Sequence, residues 1–410
     1  MTVYAAVTTG KGTGAISTIQ VFGKESGAII KKIFKPAGTK PAEFKTGQIL
    51  LGTITDGTEI IDQIIIGCEQ ANSFAINCHG NPLIVADVME LLGQHGAKLL
   101  TAEQLLTKIL SARKPVNTIA VEAKLTQPKA KTIQGAKIIA NQIDAGLDKL
   151  LQNWLKNTNE ISLDKIKTEA TDILQTSQTA KLIIYGCTLV LVGPPNSGKS
   201  TLLNYLAGRQ KAIVTDIKGT TRDWVSAQCQ IAPLSLKLID TAGLDEKLTT
   251  TAKSSIEKAA QQKSIQILEE ADLVLLVLDN SQPAEELDDR FSEKIADKLV
   301  PSTSSGQALS EAEGKVLAVL NKSDLPPKFD TAKLPENLSS TVQISAKTGA
   351  GVENLLEEIR QVCGVADFDL RTTVCFTSRQ ENLLTQLKNA KSKQQAVSII
   401  TELLNGRLRV

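Results

Sequence analysis

The chain has 410 residues, more than one hydrophobic core normally serves, so we expect two or three domains. A net charge of +2 gives no argument for a nucleic-acid or membrane partner, and 3% aromatic residues leave few platforms for stacking bases. The six cysteines include no C-x-x-C pair, and the sequence has neither a signal-peptide pattern nor a membrane-spanning run. We therefore expect a soluble, cytoplasmic protein with reduced thiols.

The first 97 residues alternate short apolar runs with Gly, Thr and Asp. Residues 16–21 and 60–66 are rich in β-branched side chains, which favours strands, while the pattern over 85–92 favours a helix. We expect residues 1–97 to form a small α/β domain.

Residues 98–187 lose the β-branched clusters, and their apolar side chains recur at three- and four-residue spacing. This spacing predicts helices over 99–110, 138–154 and 163–174. Strands alternate with helices over 188–364, as in a parallel sheet covered by helices, and the helical pattern returns in 365–410. We expect the tail to pack on the middle helices, so that the α/β module is inserted into a helical domain.

One part of the helical region is basic. Lys124, Lys129, Lys131 and Lys137 lie in a stretch without acidic residues. Such a stretch suits either the phosphates of a nucleic acid or a solvated helix face, and the absence of aromatic residues favours the solvated face.

The most informative stretch begins with the apolar residues 189–192 and continues as G-x-x-x-x-G-K-S from Gly193 to Ser200. A buried strand, a glycine-bounded loop and the start of a helix form the context of a phosphate-binding loop. The loop N–H groups and the helix N-terminus would face the phosphates. Lys199 would reach the β- and γ-phosphates, and the Ser200 hydroxyl would bind Mg²⁺.

Two further motifs fit the phosphate end of the same site. Thr220 and Thr221 lie in a polar loop, where a threonine can place its hydroxyl on Mg²⁺. A strand over 236–239 ends in D-T-A-G, so that Asp240 would support the Mg²⁺ shell and the Gly243 N–H would meet the γ-phosphate. The next residue is Leu244 rather than a glutamine that orients water, so another group must position the nucleophile.

Two motifs near the end of the predicted sheet fit the base. Asp324, in the N-K-S-D motif that Asn321 begins, can accept hydrogen bonds from both N1–H and N2–H₂ of guanine. Adenine lacks this pair of donors, so the motif selects GTP over ATP. Residues 345–347, S-A-K, follow the next strand and can contact the guanine oxygen through their backbone. These motifs follow one another at the ends of parallel strands, which is where ligands bind in such sheets.

With these residues in place, the chain resembles the MnmE (TrmE) family of tRNA-modification GTPases. The resemblance covers nearly the whole length and is strongest in five segments, at 193–204, 213–223, 240–244, 271–279 and 321–325. Weaker similarity lies near the N-terminus and in T-S-R-Q at 377–380. It implies a folate-binding, dimerising α/β domain over 1–97, a helical domain formed by 98–187 and 365–410, and an inserted P-loop GTPase (G) domain over 188–364.

The resemblance also implies ligands and a catalytic residue. A K⁺ ion takes the place of an arginine finger, with Asn196, Thr215, Ile217 and Thr220 at its ligand positions, and Mg²⁺ is held by Ser200 and Thr221. Glu257 falls on the residue that orients water, although it could equally be a solvent-facing helical residue. The full set of nucleotide-site residues is Asn196, Ser197, Gly198, Lys199, Ser200, Thr201, Thr215, Asp216, Ile217, Lys218, Gly219, Thr220, Thr221, Asp240, Thr241, Ala242, Gly243, Asn321, Lys322, Ser323, Asp324, Ser345, Ala346 and Lys347.

The sequence departs from the family pattern in two places. The family ends in a short motif with a reactive cysteine, whereas this sequence stops at residues 405–410 without one. Gln20 stands at an arginine position of the folate site, and Lys124 is the candidate for its lysine. These departures weaken the implied binding of a tetrahydrofolate derivative and, with it, the implied modification chemistry.

The resulting prediction is a K⁺-stimulated enzyme that cleaves GTP to GDP and phosphate through pairing of its G domains in a homodimer. The resemblance implies modification of the wobble uridine of tRNA, in a heterotetramer with an FAD-dependent partner of the MnmG type. One alternative is a GTP-dependent switch for ribosome or RNA assembly, akin to Era or Der. The other is a paralogue that hydrolyses GTP but has lost the modification chemistry.

Overall fold

The computed structural model describes residues 2–10, 12–38, 44–112, 117–208, 225–240, 266–283, 315–334, 338 and 340–406. The chain divides into two compact units, one of Met1–Val121 with Arg407–Val410 and the other of Glu122–Gly406. The boundaries expected after residues 97, 187 and 364 stay predictions. Among the described helices, none combines the length and the apolar character that crossing a bilayer requires.

The first unit is built on a seven-stranded sheet in the order β3-β4-β5-β6-β2-β1-β7. The strands predicted at 16–21 and 60–66 and the helix predicted at 85–92 are confirmed. The elements are β1 Val3–Val7, β2 Ile16–Phe22, α1 Ser26–Ile33, β3 Phe34–Pro36, β4 Ile49–Asp56, β5 Glu59–Gln70, β6 Ser73–His79, α2 Pro82–Gln94, β7 Ala97–Leu99 and α3 Ala102–Ala112.

One face of this sheet forms the core of the unit. Burial alternates along β5, so that Ile64 and Ile66 point inward while Ile65 stays exposed. The buried side chains pack with those of α1 and α2, among them Ile30 and Val88. α2 begins sharply because Pro82 follows Asn81, whose side chain caps the helix by accepting a hydrogen bond from the Leu83 N–H.

The second unit combines helices with a six-stranded sheet in the order β13-β12-β11-β8-β10-β9. Its helices are α4 Thr118–Thr126 (at the division between the units), α5 Ile133–Asp144, α6 Leu147–Lys156, α7 Leu163–Tyr185, α8 Lys199–Gly208, α9 Val352–Val362, α10 Ser378–Lys388 and α11 Lys393–Asn405, with 3-10 turns at Gln127–Lys129 and Thr331–Lys333. Its strands are β8 Cys187–Val192, β9 Val225–Ile231, β10 Leu234–Asp240, β11 Leu273–Asp279, β12 Lys315–Asn321 and β13 Ser340–Gln343.

The sheet of the second unit is parallel except for the β9–β10 hairpin. β8, β11 and β12 are buried almost throughout, which matches their continuous apolar sequences. The carboxyl ends of β8, β10, β11, β12 and β13 therefore meet at one edge. The α/β fold class of a P-loop GTPase is confirmed, and this edge is where its motifs were expected.

The T-S-R-Q segment at 377–380 has a structural role in the helical part of this unit. The Glu122 carboxylate, 4% exposed, accepts hydrogen bonds from Arg379 at 2.7 and 2.9 Å and from Gln380 at 2.7 Å. Arg379 also donates to the carbonyls of Glu402 and Leu403 at the end of α11, at 3.0 Å each. One partly buried ion pair therefore joins α4, α10 and α11.

Candidate nucleotide-binding site

The loop between β8 and α8 requires glycine at two positions. Gly193 has φ 144°, and a Cβ there would lie 2.0 Å from the Val277 carbonyl oxygen in β11. Gly198 has φ 95°, and its Cβ would lie 2.2 Å from Nδ2 of Asn321 at the end of β12. Between them Asn196, an exposed residue, adopts a left-handed φ of 62°. Any larger residue at either glycine would displace the loop from the neighbouring strands.

Lys199 and Ser197 are buried polar residues of this loop. Lys199 is 6% exposed, and its ammonium donates hydrogen bonds to the Gly193 carbonyl at 2.6 Å and the Pro194 carbonyl at 2.9 Å. The Ser197 hydroxyl oxygen is buried and has no hydrogen-bond partner within the described part of the chain. A phosphate-sized anion would complement both groups, because it accepts from a cation and from a hydroxyl. The predicted phosphate loop is thus formed as a cradle.

A hydroxyl and a carboxylate meet beside the loop. Ser200, in the first turn of α8, donates its hydroxyl hydrogen to Oδ2 of Asp240 at 2.5 Å. Asp240 is 2% exposed at the end of β10, the strand next to β8. Hard oxygen ligands of this kind suit Mg²⁺ in a phosphate site, with waters completing the octahedron. The two residues fit the predicted Mg²⁺ position, with Ser200 as a ligand and Asp240 as its support.

Asn321 connects the phosphate loop to the base-binding loop. Its Nδ2 donates to the Ser197 carbonyl at 2.9 Å, and its Oδ1 accepts from the Ala346 N–H at 2.9 Å. Both bonds are buried. The side chain therefore fixes the distance between the phosphate end and the base end of the site.

Asp324 is oriented by the S-A-K loop. Its Oδ1 accepts a hydrogen bond from the Ser345 hydroxyl at 2.7 Å, while the Ser323 N–H donates to the Ile344 carbonyl at 3.0 Å. The Ser345 hydrogen bond, together with one from the backbone, holds the pKa of the Asp324 carboxyl below its ordinary value. The carboxylate is exposed and ionised at neutral pH, as an acceptor for guanine N1–H and N2–H₂ must be. Lys347 is exposed at the end of the same loop.

Sequence reasoning gave no role to Asp279, which the structure brings to this edge. Asp279 ends β11 and accepts a hydrogen bond from the Lys322 ammonium at 2.6 Å. Burial raises the pKa of Asp279, but the hydrogen bonds from Lys322 and Ser281 outweigh burial and hold the pKa below its ordinary value. An acidic residue at the end of a buried parallel strand was the signal that could have identified it.

The structure places only part of the predicted site. Thr201 lies exposed in the first turn of α8, beside Ser200. Several expected residues lie outside the described ranges, and their roles stay predictions; they are Thr215, Asp216, Ile217, Lys218, Gly219, Thr220, Thr221, Thr241, Ala242, Gly243 and Glu257.

Gln20, the residue at the expected folate position, is already engaged within its own sheet. Its Nε2 donates hydrogen bonds to Glu69 Oε2 at 2.8 Å and to the Ser73 hydroxyl at 3.0 Å. Ser73 in turn donates to the same Glu69 oxygen at 3.1 Å. Both amide hydrogens are used, so Gln20 as it stands does not offer a donor to a ligand carboxylate. Lys124, the other candidate, lies exposed on α4.

Comparison with known proteins identifies family matches to two parts of the chain and relatives that cover most of its length. Residues 2–104 match the family described as GTP-binding protein TrmE N-terminus, and residues 188–322 match the family described as 50S ribosome-binding GTPase. A tRNA modification GTPase MnmE of Endomicrobium trichonymphae is 33% identical, covering 88% of this chain and 82% of the relative. The protein of that name from Lacticaseibacillus paracasei is 30% identical, covering 93% and 86%, and the one from Bacillus subtilis is 29% identical, covering 95% and 89%.

Proposed function

The chain belongs to the MnmE family of tRNA modification GTPases, and from this premise we propose that it couples GTP hydrolysis to modification of the wobble uridine of tRNA. It is a P-loop GTPase. The observation that carries the proposal is the Asn321 side chain, which joins the phosphate cradle to the loop that orients Asp324. That arrangement suits a nucleotide held at its phosphates and its base together, and the N-terminal match to TrmE favours the tRNA-modifying branch over other GTPases.

The chemistry of phosphoryl transfer is mainly positioning and charge stabilisation. The loop N–H groups and Lys199 would hold the β- and γ-phosphates, and Ser200 with Thr221 would bind Mg²⁺, supported by Asp240. A bound Mg²⁺ neutralises charge on the phosphate oxygens. We assign Gly243 to the γ-phosphate through its N–H and Glu257 to the orientation of water, both on the basis of the sequence.

The proposal includes stimulation of GTP hydrolysis by K⁺. Asn196 is exposed in a left-handed conformation, with its side chain available to a ligand beside the phosphates. Together with Thr215, Ile217 and Thr220 it would hold K⁺ when two G domains pair in a homodimer. The cation would then stabilise charge that develops in the transition state.

The assembly belongs to the same proposal. We assign to this chain a homodimer, an FAD-dependent partner of the MnmG type in a heterotetramer, a tRNA substrate and a cytoplasmic location. The exposed Lys124, Lys131 and Lys137 support contact with RNA phosphates, since no acidic residue lies between Glu122 and Asp144. A tetrahydrofolate derivative is not included, because the Gln20 amide is used by Glu69 and Ser73.

Rates of GTP hydrolysis measured in KCl and in NaCl test whether K⁺ stimulates the reaction. The wild type is expected to hydrolyse GTP about tenfold or more faster in KCl than in NaCl. In NaCl the cation that stabilises charge in the transition state would be missing. Asn196→Ala should lose the difference while still binding GDP. Equal rates of the wild type in both salts would refute K⁺ stimulation and leave GTP hydrolysis itself standing.

Nucleoside analysis of tRNA tests the biological role. Deletion of the gene should remove the wobble-uridine modification, and a copy with Lys199→Ala should fail to restore it. An unchanged nucleoside profile would favour the paralogue that only hydrolyses GTP. An accumulation of ribosomal precursors with normal tRNA would favour the assembly switch.

A further inference from the structure

We propose that Asp279 is a positioning residue for guanine recognition: it holds the Lys322 ammonium away from Asp324, so that the Asp324 carboxylate stays available to the base. The inference rests on guanine binding by the proposed nucleotide site and goes beyond it. It assigns a role to an acidic residue outside the five nucleotide motifs.

The ion pair between Asp279 and Lys322 is short and supported on its acidic side. Lys322 Nζ lies 2.6 Å from Asp279 Oδ2, with the two side chains 33% and 16% exposed. The other carboxylate oxygen of Asp279 accepts from the Ser281 N–H at 2.9 Å and the Ser281 hydroxyl at 2.7 Å. The two hydrogen bonds from Ser281 therefore fix the orientation of the carboxylate that pairs with the Lys322 ammonium.

The backbone at the two strand ends is built to bring these side chains together. Lys322 adopts a left-handed φ of 64°, which costs about 1 kcal/mol or more for a residue with a side chain. The Asn280 N–H donates to the Asn321 carbonyl at 2.8 Å, and the Lys328 N–H donates to the Asn280 carbonyl at 2.8 Å. These bonds join the ends of β11 and β12, so the strained residue is held where its ammonium meets Asp279.

Lys322 also lies close enough to Asp324 for their charges to interact. After the hydrogen bonds from Ser345 and the backbone, the charges of Lys347 and Lys322 help to keep the pKa of Asp324 low. Guanine recognition needs the lone pairs of Asp324 for two N–H donors of the base. An ammonium released from Asp279 would turn to this neighbouring carboxylate and compete with the base for them.

The test compares a guanine nucleotide with one that lacks the 2-amino group. Calorimetry would measure binding of GDP and of inosine diphosphate (IDP) to the full chain with Mg²⁺. The wild type should prefer GDP by about 10- to 100-fold, the value of one hydrogen bond to a charged acceptor. In Asp279→Asn the GDP affinity should fall by about tenfold and the GDP:IDP ratio should shrink several-fold.

Matched variants separate this role from a structural one. If Asp279 acts only through the Lys322 ammonium, Asp279→Asn added to Lys322→Met should leave the GDP:IDP ratio of Lys322→Met unchanged within about twofold. Asp279→Glu keeps the anion and should keep the ratio within about twofold. Asp330→Asn, which removes an exposed carboxylate that caps a short 3-10 helix, should change neither affinity.

Two results would overturn the inference. Asp279→Asn with both affinities reduced equally and the ratio unchanged would show a structural role only. A further several-fold fall of the ratio when Asp279→Asn is added to Lys322→Met would show that Asp279 does not act through the ammonium. If Asp279→Asn does not fold, Asp279→Ser gives the same comparison, since it also removes the anion. A wild type that binds no GDP would instead contradict the nucleotide site itself.

Discussion

The two units contain predicted ligand positions of different kinds. At the edge of the six-stranded sheet, Asn321 and the two loop glycines hold main-chain segments against each other. Lys199 donates to the loop carbonyl of Gly193, and the buried Ser197 hydroxyl has no hydrogen-bond partner among the described residues. On the seven-stranded sheet, the Gln20 amide donates hydrogen bonds to Glu69 and Ser73 and so has no donor left for a ligand. A site that main-chain groups form can therefore be predicted from its sequence motif. A site that side chains form, such as the expected folate position, is lost when one of those side chains is replaced or already has a partner.

Substitution of Gly193 is expected to cause the largest loss of stability and of GDP binding. In Gly193→Ala the new Cβ meets the Val277 carbonyl oxygen at 2.0 Å in a conformation with φ 144°. Strain and overpacking together should lower the free energy of unfolding by about 3–5 kcal/mol, which denaturant titration would measure. GDP binding should be lost because the loop moves away from β11.

Gly208 supplies the control for this variant. It ends α8, and a Cβ there meets no atom within 4 Å among the residues that the structure describes. Gly208→Ala should leave the free energy of unfolding unchanged or raise it by less than about 1 kcal/mol. Similar losses in both alanine variants would contradict the account of the loop.

Asn321→Ala should have the next largest effect. It leaves the Ser197 carbonyl and the Ala346 N–H without their partner, at about 1–3 kcal/mol for each buried group. GDP affinity measured by calorimetry should fall by about 10- to 100-fold. An unchanged affinity would mean that the phosphate and base loops keep their spacing without this side chain.

Removal of the Ser200 hydroxyl tests the metal position. In Ser200→Ala, GDP affinity should no longer depend on Mg²⁺, because the hydroxyl beside Asp240 is lost. Titration with EDTA should weaken GDP binding to the wild type by about tenfold and leave the variant unaffected. Ser200→Thr keeps the hydroxyl and should keep the dependence, whereas an equal response of wild type and alanine variant would place the metal elsewhere.

Substitution of Gln20 in the first unit is expected to have the smallest effect on stability and none on GDP binding. Gln20→Ala removes the donor to Glu69 and Ser73 and should lower the free energy of unfolding by about 1–2 kcal/mol. GDP affinity should not change. Neither the wild type nor the variant should bind 5-formyltetrahydrofolate at micromolar concentration; saturable binding that depends on Gln20 would show that its hydrogen bonds are exchanged for a ligand.

Much of the nucleotide edge could be predicted because its motifs are local. The spacing from Gly193 to Ser200 already specifies a strand, a turn and a helix, and the order of the later motifs specifies the ends of neighbouring strands. The α/β alternation and most helices likewise followed from apolar periodicity. The single helix predicted over 138–154 was wrong, because the chain breaks at Ala145 and Gly146 into α5 and α6.

What sequence reasoning missed depends on contacts between distant residues. Arg379 pairs with Glu122, 257 positions away, and Asp279 pairs with Lys322, 43 positions away. The partners of Gln20 are 49 and 53 positions away. No periodicity or spacing rule joins such residues, because strand order and helix packing decide which of them meet.

Calorimetry with GDP and ADP on the full chain tests the central claim most directly. The claim is that a guanine nucleotide is held between the phosphate cradle and Asp324, which adenine cannot satisfy with its donors. We predict saturable binding of GDP and binding of ADP weaker by about 1,000-fold or more. Equal affinities for the two nucleotides, or no binding of GDP, would contradict the account.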